Sequence, residues 1–229
     1  MILGLALTIP LFKFDLSKFL RSSLFVKILF WIPIFVVFLG VLYASNPLRS
    51  LILIGLFLAS FIEVVRITEK AKDKLTPAVY FLFLTIGLVH FSLLNIRFAD
   101  EFIRLLITIS FASVLSDVTA FFFGNYLGKN KLPRALNPNK SWEGVAGQII
   151  GAGIGVLLVN IFVQSVVHLW IFIPIGVGAA TGDLANSYVK RKLGIKDWSN
   201  NIPGHGGFVD RLSSLVGSVV ATFYFLLVV

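Results

Sequence analysis

The 33 residues from Gly182 to Ser214 hold three acids, five basic residues, His205 and five glycines, while the rest of the chain is largely apolar. Charge at membrane depth is costly, so a hydrophobic chain does not carry such a block without a use for it. Asp183 opens the segment, followed by Ser187, Lys190 and Arg191. Steps of four and three residues are close to one helical turn, so a helix puts Asp183, Ser187 and Lys190 on one face. A plainer reading pairs Asp183 with Lys190 or Arg191 at a helix end. Next comes Pro203-Gly204-His205-Gly206-Gly207, directly before Asp210-Arg211. Glycines let backbone N–H groups approach an anion closely; the alternative is an ordinary turn capping the last span. Asp183 and Asp210 come from different elements, and two carboxylates suit Mg²⁺, which prefers oxygen ligands and nucleotide phosphates. Arg191, Lys196 and Arg211 are placed in sequence to neutralise phosphate charge. Together these types fit phosphoryl or nucleotidyl transfer, which needs mainly positioning and charge neutralisation.

A second group lies upstream. Asp117 falls inside an apolar run, and a basic loop then leads to Asn137-Pro138-Asn139-Lys140-Ser141-Trp142-Glu143-Gly144. Ser141 is a candidate N-cap for the next helix, with Glu143 in the first turn beside the dipole. Lys140 at a helix start runs against the dipole trend and fits an anion held there. Trp142 reads as an interfacial anchor. Glu63 reads as a helix-end pair with Arg66 rather than a site residue, and His90 and His168 as interfacial histidines.

The elements that must carry these residues are membrane helices. The chain has 229 residues, 57% hydrophobic and 14% charged, against about a quarter charged in an ordinary soluble domain. Mean hydropathy is +0.92. Seven apolar runs emerge, at 24–44, 51–65, 78–95, 102–124, 145–163, 169–187 and 212–229. The expected architecture is all-α, a polytopic integral membrane protein of about seven transmembrane helices and a short N-terminal apolar segment. That segment, MILGLALTIPLF, is too short to span and lacks a basic flank or clear cleavage site, so it reads as interfacial or re-entrant. Residues 1–229 read as a single membrane domain, with 1–114 supplying helices and 115–229 carrying the site.

Segments 13–27, 66–74, 125–143 and 188–211 contain 4, 4, 4 and 5 Lys/Arg, together 17 of the 20. They occupy every second connection between the expected spans and so share one side, while the other connections hold only Arg49, Arg97 and Arg104. The positive-inside rule therefore places the N-terminus and these loops in the cytoplasm, and the protein in the inner (cytoplasmic) membrane. The net charge of +9 follows from this topology, and no nucleic-acid partner is expected. With no cysteine, disulfides and thiolate metal sites are excluded. Glycines crowd the fifth and sixth spans; close helix packing and a functional use are both open, and such small-residue surfaces would suit a homodimer.

Taken together, Ser187-x-x-Lys190-Arg191, Lys196-Asp197, Pro203-Gly204-His205-Gly206-Gly207 and Asp210-Arg211 resemble the phosphatidate cytidylyltransferase (CDP-diacylglycerol synthase) family. The stretch Asn137–Gly144 and Asp117 look like that family's other motifs, so the resemblance covers about residues 115–214. It implies transfer of the cytidylyl group of CTP to phosphatidate, giving CDP-diacylglycerol and pyrophosphate for phospholipid synthesis. It implies Asp183 and Asp210 as Mg²⁺ ligands, with a second cation possible, and Lys190, Arg191, Lys196 and Arg211 as phosphate binders. Ser187, His205 and Asp197 are implied as site residues, as are Lys140, Ser141, Glu143, Asp117, Gly206 and Gly207. Alternatives are a CTP-dependent enzyme acting on another lipid phosphate or a lipid alcohol, or an inactive relative that binds anionic lipid or nucleotide. One position departs from the pattern. The family signature closes Asp-Arg-x-Asp, whereas here Ser213 follows Asp210-Arg211-Leu212. The lost acid is either a metal ligand, which would lower affinity for one cation, or an outer group, which would leave activity in place.

Overall fold

The computed structural model describes residues 23–134, 136–163 and 168–229. The N-terminal apolar segment lies outside them. Among the described residues seven α-helices follow one another: α1 Ser23–Tyr43, α2 Asn46–Lys70, α3 Leu75–Arg97, α4 Phe102–Tyr126, α5 Trp142–Val163, α6 Phe172–Lys192 and α7 Phe208–Val228. A short 3₁₀ turn, Leu169–Ile171, leads into α6. Among the described residues, six helices are long and apolar enough to cross a membrane, and Ile32–Tyr43 is a shorter apolar stretch. The chain is a polytopic helical membrane protein.

The expected spans coincide with these helices, with one correction. The second, expected at 51–65, is a 25-residue helix. Pro47 lies in its first turn, where a missing N–H costs nothing. Its other end continues through Glu63, Arg66 and Glu69, because charged residues do not break a helix once the backbone ladder is running.

By contacts the chain divides into two compact units, one running to Glu63 with Asp197–Asp210 added, the other made of Val64–Lys196 and Arg211–Val229. In the first, Arg49 closes the end of α1. Its Nε donates to Val41 O at 2.8 Å and its Nη2 to Leu42 O at 3.1 Å, satisfying carbonyls left open at the helix terminus. Arg49 therefore has a local use beyond the topology count.

In the second unit, α5 packs most extensively on α4 and then on α6. Glycines set these distances. A Cβ on Gly155 would meet Ala112 Cα at 2.5 Å, and one on Gly178 would meet Ser218 Cα at 2.8 Å. The faces of Gly155 and Gly178 are thus seams inside the chain, the packing alternative of the two. The core between the helices includes Leu94, Phe102, Leu105, Ile109, Ala152 and Ile175. His90 is a further correction. It is buried, with Nδ1 2.8 Å from Ile86 O and its ring 5.3 Å from Phe223 and 5.1 Å from Tyr224. Contact with the aromatic residues of α7 takes it out of the interface. His168 is exposed ahead of the 3₁₀ turn.

Candidate active site

In the second unit the loop before α5 is built to present Lys140. Leu132 N donates to Lys140 O at 2.9 Å and Trp142 N to Asn130 O at 2.9 Å, folding residues 130–142 back on themselves. Ser141 caps α5 as expected, its Oγ accepting from Gly144 N at 3.2 Å. Glu143 turns to this loop and accepts from Asn130 Nδ2 at 2.7 Å. Trp142 is exposed, consistent with an anchor role.

Lys140 forms an ion pair with Asp183 of α6. The expected partners Lys190 and Arg191 are not the ones Asp183 takes here. Asp183 Oδ2 also lies 3.5 Å from Gln148 Nε2 on α5, and the same amide nitrogen is 3.4 Å from Asp117 Oδ1 on α4. Both are at the long end for a hydrogen bond. Ser214 Oγ donates to Asp117 Oδ1 at 3.2 Å. The structure thus gathers Asp117, Lys140 and Asp183 around one buried amide. Gln148 and Ser214 carry no motif, and only their helical register beside the acids could have marked them.

On α6, Ser187 is buried and Lys190 half-buried, whereas Arg191 and Lys196 are exposed, as is Arg211 at the start of α7's part of this unit. Ser213, the position of the absent acid, is 1% exposed and its Oγ accepts from Asn186 Nδ2 at 3.1 Å. It is a helix-seam residue in this chain.

The first unit holds the glycine loop. Ile202 N donates to Gly206 O at 2.9 Å and His205 N to Ile202 O at 2.8 Å, a tight turn with His205 buried inside. Gly206 has φ 82°, which favours glycine. Of the backbone donors expected to face a phosphate, Gly207 N is taken by a carboxylate. Asp210 Oδ2 accepts from Gly207 N at 3.0 Å and from Trp198 N at 2.9 Å. An acid three residues into a helix reaching back to the preceding N–H is one half of a capping box. Phe208 N and Val209 N donate to Glu63 of α2 at 3.0 and 3.1 Å.

Glu63 is therefore no helix-end partner of Arg66. It is 1% exposed and also accepts from Ser199 Oγ at 2.6 Å and Asn201 Nδ2 at 2.8 Å. A Cβ on Gly207 would lie 2.8 Å from Glu63 Cδ, and one on Gly206 would lie 2.9 Å from Asp210 Oδ2. These two glycines make room for carboxylates of the chain itself. An acid deep in an apolar run was the available signal for Glu63. Asp197 is exposed beside this loop.

Asp117, Asp183, the Gln148 amide and Ser214 are all oxygen-bearing groups, the donor chemistry of a hard cation. Among the described residues no cluster of three or more His, Cys, Asp or Glu is placed to hold a metal.

Residues 11–229 match the Cytidylyltransferase family. The chain belongs to that family. A phosphatidate cytidylyltransferase of Brucella abortus biovar 1 (strain 9-941) is 34% identical over 181 residues, covering 77% of this chain and 66% of that protein. Proteins of the same name from Mycobacterium bovis and Mycobacterium leprae are 38% and 39% identical over 116 residues, 49% of this chain and 38% and 37% of theirs. The chain thus matches less than two thirds of the length of each of these cytidylyltransferase relatives.

Proposed function

We propose that this chain transfers the cytidylyl group of CTP to phosphatidate, giving CDP-diacylglycerol and pyrophosphate. The observation that carries the reading is the Lys140–Asp183–Gln148–Asp117 cluster, which joins both motif groups in a membrane helix bundle. The names of the relatives support the same reaction. An oxygen of the lipid phosphate bonds to the α-phosphorus of CTP, and the bond from that phosphorus to the pyrophosphate oxygen breaks. A phosphate monoester is already ionised at neutral pH, so no general base is required.

Lys190, Arg191, Lys196 and Arg211 are the proposed phosphate binders, and Asp183 and Asp210 the proposed Mg²⁺-ligating acids. Bound at Asp183, Mg²⁺ would supply charge neutralisation for the leaving pyrophosphate. Lys140 balances Asp183 until a cation or substrate takes that place. Because the N–H groups of residues 207–209 already serve carboxylates, phosphate charge falls to the lysines and arginines. The distribution of basic loops supports a cytoplasmic face for the site, in the inner membrane, where CTP is available. The test is product analysis over a panel of lipid phosphates and lipid alcohols. Pyrophosphate and CDP-diacylglycerol from phosphatidate are expected; CDP from a lipid alcohol would point to a kinase and overturn the reading.

A further inference from the structure

We propose that Glu63 is a positioning residue for the reaction, holding the glycine loop and the start of α7 in place; the reaction itself rests on the proposed function. Its carboxylate is almost fully buried yet satisfied by four donors: two side chains, Ser199 and Asn201, and two backbone N–H groups, Phe208 and Val209. These partners lie at both ends of the segment containing Pro203–Gly207. One acid on α2 therefore ties down both ends of the loop. Asp210 takes the adjoining donor, Gly207 N. Three successive N–H groups at the start of α7 are shared between two carboxylates, so the orientation of Asp210 depends on where Glu63 pins residues 208 and 209. Negative charge at a helix N-terminus is also favoured by the dipole. Gly207 has no side chain where one would strike Glu63, which ties the second glycine of the pair to this carboxylate.

Glu63→Gln keeps the shape but replaces one accepting oxygen with an NH₂ that opposes the N–H and O–H donors. The experiment measures backbone hydrogen exchange and turnover of the full chain in lipid nanodiscs, for the unaltered protein, Glu63→Gln and Glu63→Asp. Exchange in peptides covering 199–209 should accelerate in Glu63→Gln, while α5 is unchanged. Turnover of CTP and phosphatidate should drop about 100-fold, the scale of a misplaced catalytic group, mostly in kcat rather than KM, and Glu63→Asp should recover part of it. If Glu63→Gln does not fold, Ser199→Ala combined with Asn201→Ala should loosen the same peptides and lower kcat to a smaller degree. Unchanged exchange over 199–209, acceleration spread evenly over all helices, or a loosened loop with unchanged kcat would each overturn the proposal. Absence of turnover in the unaltered chain would count against the activity reading alone, since the exchange result stands without it.

Discussion

Lys140 and Asp183 form an ion pair between the loop before α5 and the middle of α6, although 43 positions separate them in sequence. A lysine on this carboxylate neutralises a charge that α6 would otherwise carry unpaired among apolar helices. On the proposed reading, Lys140 and Mg²⁺ compete for the same acid. Lys140→Met should lower turnover about 100-fold, the scale of losing one charge-stabilising group, yet reduce the Mg²⁺ concentration needed for half-maximal rate. A Mg²⁺ titration of turnover checks both directions, and Lys140→Arg should lie between.

The glycine seams give a contrast within one residue type. Gly178→Ala places a methyl group against Gly217 and Ser218, where a Cβ finds no room. Overpacking of this kind costs about 1–3 kcal/mol. Gly55 on α2 has nothing within 4 Å of a Cβ, so Gly55→Ala should be neutral or stabilise by up to about 1 kcal/mol through helix propensity. Thermal unfolding of both variants in the same detergent tests the pair.

Much of this fold was legible because apolar run length maps directly onto membrane helices. The extension of α2 was not, since hydropathy drops at Glu63 and Arg66 while the backbone continues. Ser141 could be read as a cap from local spacing. The partner of Asp183 could not, because helix periodicity offers Lys190 as a neighbour and says nothing about a lysine from another loop. Glu63 was missed for the same reason: Arg66 is one turn away in sequence, but the donors that use the carboxylate come from residues 199–209. The glycine loop was read as a phosphate cradle; of its glycines, Gly207 donates its N–H to Asp210 instead.

Ser213 separates the two sequence-based accounts of the absent acid. It is buried in the α6–α7 seam and bonded to Asn186. Ser213→Asp should bury a new carboxylate beside that amide, lowering the unfolding temperature with no gain in Mg²⁺ affinity or turnover. A clear gain in either would show that the position is a metal ligand.

Asp73 links pH to the loop between α2 and α3. Its carboxylate accepts from Leu75 N and Thr76 N at 3.1 Å and pairs with Lys192 Nζ at 3.0 Å. Hydrogen bonds from Thr76, and then Lys192, hold its pKa well below the ordinary carboxylate value. A depressed folded-state pKa contributes stability that is present above the unfolded value and lost as pH falls through the folded one. Protection of the Thr76 amide from exchange should therefore weaken only in acid, below about pH 4, and Asp73→Asn should abolish that dependence.

The most direct test of the central claim is release of pyrophosphate from CTP with phosphatidate, comparing the unaltered chain with Asp183→Ala. The account predicts stoichiometric pyrophosphate and CDP-diacylglycerol from the former and a loss of about 1000-fold in the latter. Full activity in Asp183→Ala would contradict it.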